Sequence, residues 1–240
     1  RELATSFNEM AGSLEATERR RLQLVGDVAH ELRTPLTTLD GYLEGLEDGV
    51  VDPSSETWRL LRAETGRLTR LVADLSELWR AEARELPLNI EVIDLLALVG
   101  EVAERSAPLA RSRGIRIDVA ASRALATADR DRVAQIIGNY LSNAIRHAPD
   151  GSAVTVSTSA SPTGARIAVA DRGPGLASHQ LEAVFERFYR VDPARSRAAG
   201  GSGIGLAIVR ALAKAMGGRA WAESEGLGHG ATFVLELPPA

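Results

Sequence analysis

His30-Glu31-Leu32-Arg33-Thr34-Pro35-Leu36 lies inside the periodic run that decides the first half of the fold. Apolar residues recur at Leu22, Val25, Ala29, Leu32, Leu36, Leu39, Leu43 and Leu46, in alternating steps of three and four. That rhythm is the seam of a helix packed in a bundle. His30 follows a seam position directly, so it stands roughly 100° round the helix from Ala29, flanking the seam and facing water. Gln23, Asp27, Thr34 and Thr37 share that side. A neutral imidazole carries a lone pair on one ring nitrogen and a proton on the other, and Glu31 is the nearest carboxylate to hold or take that proton. Thr34, one turn on, could position a water or bond back to the carbonyl of His30. Pro35 has no amide hydrogen, so the carbonyl of Glu31 loses its helical partner and the helix should bend. Taken alone, a His-Glu pair of this kind is best read as an ordinary solvated surface pair.

Working outward, Asp48-Gly49-Val50-Val51-Asp52-Pro53-Ser54-Ser55 reads as a hairpin turn. A second helix is expected to about Arg84, with Trp58, Leu61, Thr65, Leu68, Val72, Leu75 and Trp79 on its apolar side. Two such helices cannot enclose a core, whereas two copies of the pair make a four-helix bundle, so the expected partner is a second copy of the chain. Pro87 marks a linker. Beyond it come a strand near Asn89 to Ile93, a helix from about Leu95 to Ser112 and a strand from Ile115 to Val119. A helix then runs from an Asp129 cap to about His147, closed by Pro149. Strands at Val154 to Ser159 and Ala165 to Ala170, a short helix before Phe185, a helix from about Gly203 to Met216, and strands around Ala220 and Phe233 complete the order. The pattern predicts a mixed sheet covered on one face by helices.

The helix ending at His147 changes the weight of His30. Val133, Ile136, Ile137, Tyr140, Leu141, Ala144 and Ile145 form its buried face, while Asn139, Asn143, Arg146 and His147 fall on one side. Amide oxygens ligate a hard cation and bond to phosphates without adding charge, so this edge can hold a magnesium–triphosphate unit. Two glycine-rich loops follow, Asp171-Arg172-Gly173-Pro174-Gly175 and Gly200-Gly201-Ser202-Gly203-Ile204-Gly205-Leu206. Asp171 at a strand end can accept a hydrogen bond from the exocyclic amine of adenine. The second loop feeds a helix whose N-terminus offers amide hydrogens and a positive dipole end to phosphate. It lacks the lysine of a P-loop, and no strand precedes it directly as a dinucleotide fingerprint requires.

In order, HELRTPL, the NYLSNAIRH helix, DRGPG, FERFYR, GGSGIGL and GHGATF resemble the H, N, first glycine, F, second glycine and third glycine boxes of a two-component sensor histidine kinase. The resemblance spans nearly the whole chain. It implies an α plus α/β fold: an antiparallel helical hairpin forming a dimeric four-helix bundle, then an α/β two-layer sandwich of GHKL (Bergerat) type. It implies His30 as phosphate acceptor, with Glu31 and Thr34 beside it, and ATP with Mg2+ as cofactors. Asn139 and Asn143 would belong to the magnesium site, and Asp171, Gly173 and Gly175 to the adenine. Gly201, Gly203, Gly205 and Leu206 would close a lid, and Arg190 in FERFYR would neutralise charge on the transferring phosphate. Arg146 and His147 stand where lysine and tyrosine are commonest in the family. A guanidinium keeps the phosphate contact. Histidine leaves adenine a smaller, titratable ring to stack on. The implied reaction is autophosphorylation of His30, transfer to an aspartate of a response-regulator receiver domain, and dephosphorylation of that regulator with Thr34 orienting water. Two rival readings are an ATP-driven GHKL clamp, which has no use for HELRTP on a dimer helix, and a scaffold that binds ATP without transferring it.

Composition is compatible with this. With 240 residues and 45% hydrophobic content the chain can form a helical module and one α/β domain. No stretch approaches the ~20 apolar residues of a membrane span, and nothing reads as a signal peptide. The sequence holds no cysteine, which excludes thiol chemistry within it. The net charge of -4 gives no basic footprint for nucleic acid. Arg1 to Met10 resembles the second helix of a HAMP signal-relay module, so the chain is expected to be the cytoplasmic portion of a bacterial inner- or plasma-membrane receptor, attached through preceding segments. Residues 1–20 are assigned to that module and its coiled coil, 21–86 to dimerisation and phosphotransfer, and 87–240 to ATP binding. The apolar steps from Met10 through Leu14 and Glu18 to Leu22 are successive fours, a stutter that would locally unwind a coiled coil.

Overall fold

The computed structural model describes residues 2–83, 85–161, 163–191 and 202–240, with backbone alone at 2–11, 13–25 and 121. The side chains of the stutter and of the HAMP-like segment therefore lie outside the described residues, as do Arg84 and Gly201. The chain divides into two compact units, Arg1–Val72 and Ala73–Ala240.

Two helices dominate the first unit: α1 (Glu2–Glu47) and most of α2 (Ser55–Glu82). The turn between them is tied by its backbone, since the amides of Val50 and Val51 both donate to the Gly45 carbonyl at 2.9 and 2.8 Å. Ser54 caps α2, its hydroxyl accepting from the Thr57 amide at 3.1 Å. α1 passes through Pro35 as one helix. Leu36, Leu43 and Trp58 are each at least half exposed, at 54%, 52% and 50%, so among the described residues the seam read from the sequence is only partly covered within one copy of the chain.

The buried side of α2 differs from the expected one. Leu61, Leu71, Leu75 and Leu78 are buried, while Trp58, Val72 and Trp79 are exposed. Leu68, Leu71, Leu75 and Leu78 follow a three-four rhythm of their own. The helix thus carries two apolar stripes, and the tryptophan stripe is the outer one.

The second unit starts with the last turns of α2. It continues through β1 (Ile90–Asp94), α3 (Leu95–Arg111), β2 (Arg116–Ala121), β3 (Leu125–Asp129), α4 (Arg130–His147), β4 (Ala153–Ser161) and β5 (Gly164–Ala170). The short α5 (Gln180–Ala183), α6 (Gly205–Ala215), β6 (Arg219–Glu223) and β7 (Thr232–Leu237) follow. The main sheet has the order β2-β4-β5-β7-β6, parallel between β2 and β4 and antiparallel elsewhere, the mixed sheet that the sequence predicts. In β5, Ala165, Ile167 and Val169 are buried while Arg166, Ala168 and Ala170 are partly exposed, so one face of the sheet is covered. The covering helices contribute Ile136, Ile137, Tyr140 and Leu141 from α4 and Ile208 and Leu212 from α6, all at 1% exposure or less. Each such side chain contributes about 1.5–3 kcal/mol by leaving water.

β3 was not expected from the sequence. It pairs antiparallel with β1 as a separate two-stranded sheet, with Val92 opposite Thr127. Leu-Ala-Thr-Ala-Asp carries little strand propensity, and the pairing comes from β1, more than thirty residues earlier. Its last residue, Asp129, takes two backbone donors: the Arg132 amide at 3.1 Å as the cap of α4, and the Asn89 amide at 2.8 Å. Among the described residues no helix is long and apolar enough to cross a membrane.

Candidate functional site

His30 is exposed on α1, as its position beside the seam requires, and Glu31 is half-buried one residue on. The Thr34 hydroxyl donates to the His30 carbonyl at 3.4 Å. This is the back-bond open to any helical threonine; it leaves the oxygen lone pairs turned outward to accept from water. These three residues belong to the first unit.

The remaining residues singled out by sequence cluster in the second unit around α4. Asn139 and Asn143 are half-buried on its open side, Arg146 is half-buried and His147 exposed. The Asn139 side-chain amide donates to the carbonyl of Gly205, the first residue of α6, at 3.4 Å. This joins the second glycine loop to the middle of α4 and leaves the Asn139 oxygen as a free ligand. At the other end of α4, a Cβ added to Gly173 would lie 3.0 Å from the His147 carbonyl oxygen and 2.7 Å from Asp171 Oδ1. The first glycine loop therefore presses on the helix terminus with no room for a side chain.

Asp171 is buried at the end of β5. Its carboxylate accepts the Gly173 amide at 2.7 Å. Burial pushes its pKa above the ordinary value, while hydrogen bonds from the backbone of Gly173 and Ala231 oppose the rise. A buried carboxyl held by two backbone donors offers its remaining lone pairs in a fixed direction, as recognition of an exocyclic amine requires. Gly175 has a φ of +72°, and a Cβ there would stand 2.1 Å from the Gly226 carbonyl oxygen. The Gly228 amide donates to the Pro174 carbonyl at 2.7 Å, so the 171–175 loop and the third glycine loop are packed backbone to backbone.

The FERFYR segment is anchored from two sides. Phe185 is buried, edge-on to Phe233 at 6.3 Å, and the guanidinium of Arg210 on α6 lies 4.6 Å above its ring. The Phe188 amide donates to the Gly203 carbonyl at 2.8 Å. Arg190 donates to the Ser202 carbonyl at 3.4 Å, which puts the expected charge-neutralising residue against the start of the lid segment. Leu206 stands in the first turn of α6.

Three carboxylates on the last turns of α2 escaped the sequence reading. Glu77 binds Arg132 at 2.6 Å and also accepts from Gln135, both on α4; Glu82 accepts from Arg187 at 3.0 Å; and Asp74 accepts from the Ser202 hydroxyl at 3.2 Å. These contacts, spanning 55 to 128 residues of sequence, explain why the compact division falls inside α2 and not at Pro87. Among the described residues no group of three His, Cys, Asp or Glu side chains could hold a metal ion.

Comparison with known proteins agrees with both halves of this arrangement. The His Kinase A (phospho-acceptor) domain family matches residues 20–84, and the Histidine kinase-, DNA gyrase B-, and HSP90-like ATPase family matches residues 128–240. The signal transduction histidine-protein kinase BaeS of Escherichia coli (strain K12) is 38% identical over 241 residues, covering 98% of this chain and 50% of its own. The Acinetobacter baumannii histidine kinase AdeS has a similar structure, with a TM-score of 0.75 at 28% identity over 88% of this chain and 98% of that one. Full-length ShkA, solved in complex with AMPPNP, gives a TM-score of 0.67 at 34% identity over 88% of this chain and 44% of its own. The chain spans between 37% and 55% of the length of the curated relatives it matches.

Proposed function

The chain belongs to the two-component sensor histidine kinases, and on that premise we propose that it autophosphorylates His30 from ATP and passes the phosphoryl group to an aspartate of a response-regulator receiver domain. The observation that carries the proposal is the convergence, within the second unit, of Asn139, Asn143, the Asp171 loop and the start of α6 on α4. On this reading residues 1–20 end a HAMP relay, 21–86 dimerise and carry the acceptor, and 87–240 bind ATP.

In the reaction, one ring nitrogen of His30 attacks the γ-phosphorus, the bond from that phosphorus to the β,γ-bridging oxygen breaks, and ADP leaves. Glu31 holds or accepts the proton of the other ring nitrogen. Asn139 and Asn143 would hold Mg2+, which would offset charge on the triphosphate. Arg190 and Arg146 face the phosphates, Asp171 accepts from the adenine amine, and His147 stacks on the ring, with Gly173 and Gly175 giving the backbone room. The lid residues Gly201, Gly203, Gly205 and Leu206 close over the nucleotide. Little covalent work falls to the protein, so positioning and electrostatics supply most of the catalysis. The exposed Leu36, Leu43 and Trp58 are covered by a second copy of the chain, giving the four-helix bundle. Thr34 orients the water that dephosphorylates the regulator. The chain is the cytoplasmic part of a membrane receptor.

Incubation with γ-labelled ATP tests this reading against its rivals. A kinase gains acid-labile, base-stable label; an ATP-driven clamp releases phosphate and stays unlabelled; a scaffold binds ATP and does neither.

A further inference from the structure

α4 ends abruptly at Pro149, which has no amide hydrogen to offer a preceding carbonyl, so the last carbonyls of the helix need donors from elsewhere. The Ala144 carbonyl is taken by the Ala148 amide at 2.8 Å. The next carbonyls are taken by one side chain, Arg113, from the turn between α3 and β2. Its Nη1 donates to the carbonyls of Ile145 at 2.6 Å and Arg146 at 2.8 Å, and its Nη2 to that of Ala148 at 3.3 Å. The same Nη2 meets Asp150 Oδ1 at 2.6 Å. The backbone of Arg113 is fixed at both ends, its amide donating to Ala110 and its carbonyl accepting from Gly151.

We infer that Arg113 is a positioning residue for nucleotide binding, acting through the last turn of α4. That turn carries Arg146 and His147, and its His147 carbonyl is the wall against which Gly173 is packed. A guanidinium suits the place on three grounds: its charge complements the negative end of the helix dipole, its planar fork reaches several carbonyls at once, and it supplies donors to the carbonyls of Ile145, Arg146 and Ala148. Without it the final turn frays, and two side chains of the nucleotide edge lose their fixed direction together with the carbonyl against which Gly173 is packed. The inference rests on the proposed kinase reading.

The test measures ATP affinity and the kcat and KM of labelling for the full chain and its variants. Arg113→Ala is expected to raise KM and Kd for ATP about tenfold, short of the ~hundredfold that a misplacement of ~1 Å can cost, with kcat at saturating ATP held within about twofold. Arg113→Lys keeps the charge at the helix terminus but not the fork and should recover part of the affinity. Asp150→Asn removes the ion pair but not the carbonyl contacts and should bind ATP like wild type. If Arg113→Ala folds poorly, Arg113→Gln, which fills the space but removes the charge and the fork, gives the same comparison. Unchanged affinity in the Ala and Gln variants, or a parallel loss of kcat and affinity that lysine does not rescue, overturns the assignment. A wild-type chain that binds no ATP overturns the kinase reading itself, which is a different failure.

Discussion

Gly175→Ala probes whether the packing of the two glycine loops builds the nucleotide site. With φ at +72° the backbone lies in the left-handed region, which costs an alanine about 1–2 kcal/mol. The new Cβ would stand 2.1 Å from the Gly226 carbonyl oxygen, 3.0 Å from its carbon and 3.3 Å from the Gly228 nitrogen. All three are backbone atoms, so no rotamer change relieves the contact. The loops must part by about 1 Å to reach an ordinary carbon–oxygen separation of ~3.3 Å. Parting them stretches the 2.7 Å bond from the Gly228 amide to the Pro174 carbonyl, worth about 1 kcal/mol net. The sum, about 2–3 kcal/mol, corresponds to roughly 30- to 150-fold weaker ATP binding if the native loop packing is the binding-competent one. The assay is nucleotide affinity with chemical denaturation run in parallel. Gly100→Ala, in α3 with nothing within 4 Å of the added atom, serves as control: it should stabilise the fold by about 0.5–1 kcal/mol and leave affinity alone. If Gly175→Ala binds ATP within twofold of wild type, the contact between these loops is not part of the site.

Three further outcomes follow from named contacts. Because burial raises the pKa of Asp171, the folded chain holds that proton more tightly than the unfolded one; the stability this gives is complete below the ordinary value of 3.8 and is lost as pH rises through the raised value. Asp171→Asn should therefore gain on wild type in urea midpoint as pH rises above 3.8 while binding ATP more weakly, and a pH-independent difference between the two would contradict this. Asn143→Asp places a second negative group beside the triphosphate and should abolish labelling and weaken magnesium-nucleotide binding with the dimer intact; unchanged affinity would make Asn143 a surface residue. Glu31→Gln should slow autophosphorylation and Thr34→Ala should instead prolong the life of the regulator phosphate, so equal loss of both activities in each variant would mean that the substitutions only distort α1.

How much of this the sequence disclosed depended on whether the signal was local. The cap at Asp129, the buried stripe of α4 and the stop at Pro149 are all set within one helix, and each lies where the periodicity put it. The strand before Asp171 was legible for the same reason, as its alternation is complete in seven residues. β3 was not, because Leu-Ala-Thr-Ala-Asp becomes a strand only by pairing with β1. On α2, Leu61 and Leu75 are buried as the spacing predicts, whereas Trp58, Val72 and Trp79 are exposed and Leu71 and Leu78 are buried, because both sets repeat at helical spacing and only tertiary burial separates them. The same limit hid Arg113 and the Asp74, Glu77 and Glu82 contacts: an arginine reaching carbonyls 32 to 35 residues away leaves no pattern in a local window.

The central claim is that His30 receives the phosphoryl group, and labelling of His30→Gln tests it most directly. His30 lies in a different unit from the nucleotide residues, so the variant should bind ATP as wild type does and take up no acid-labile label. Label persisting at wild-type level would move the acceptor to His147, His179 or His229 and contradict the account.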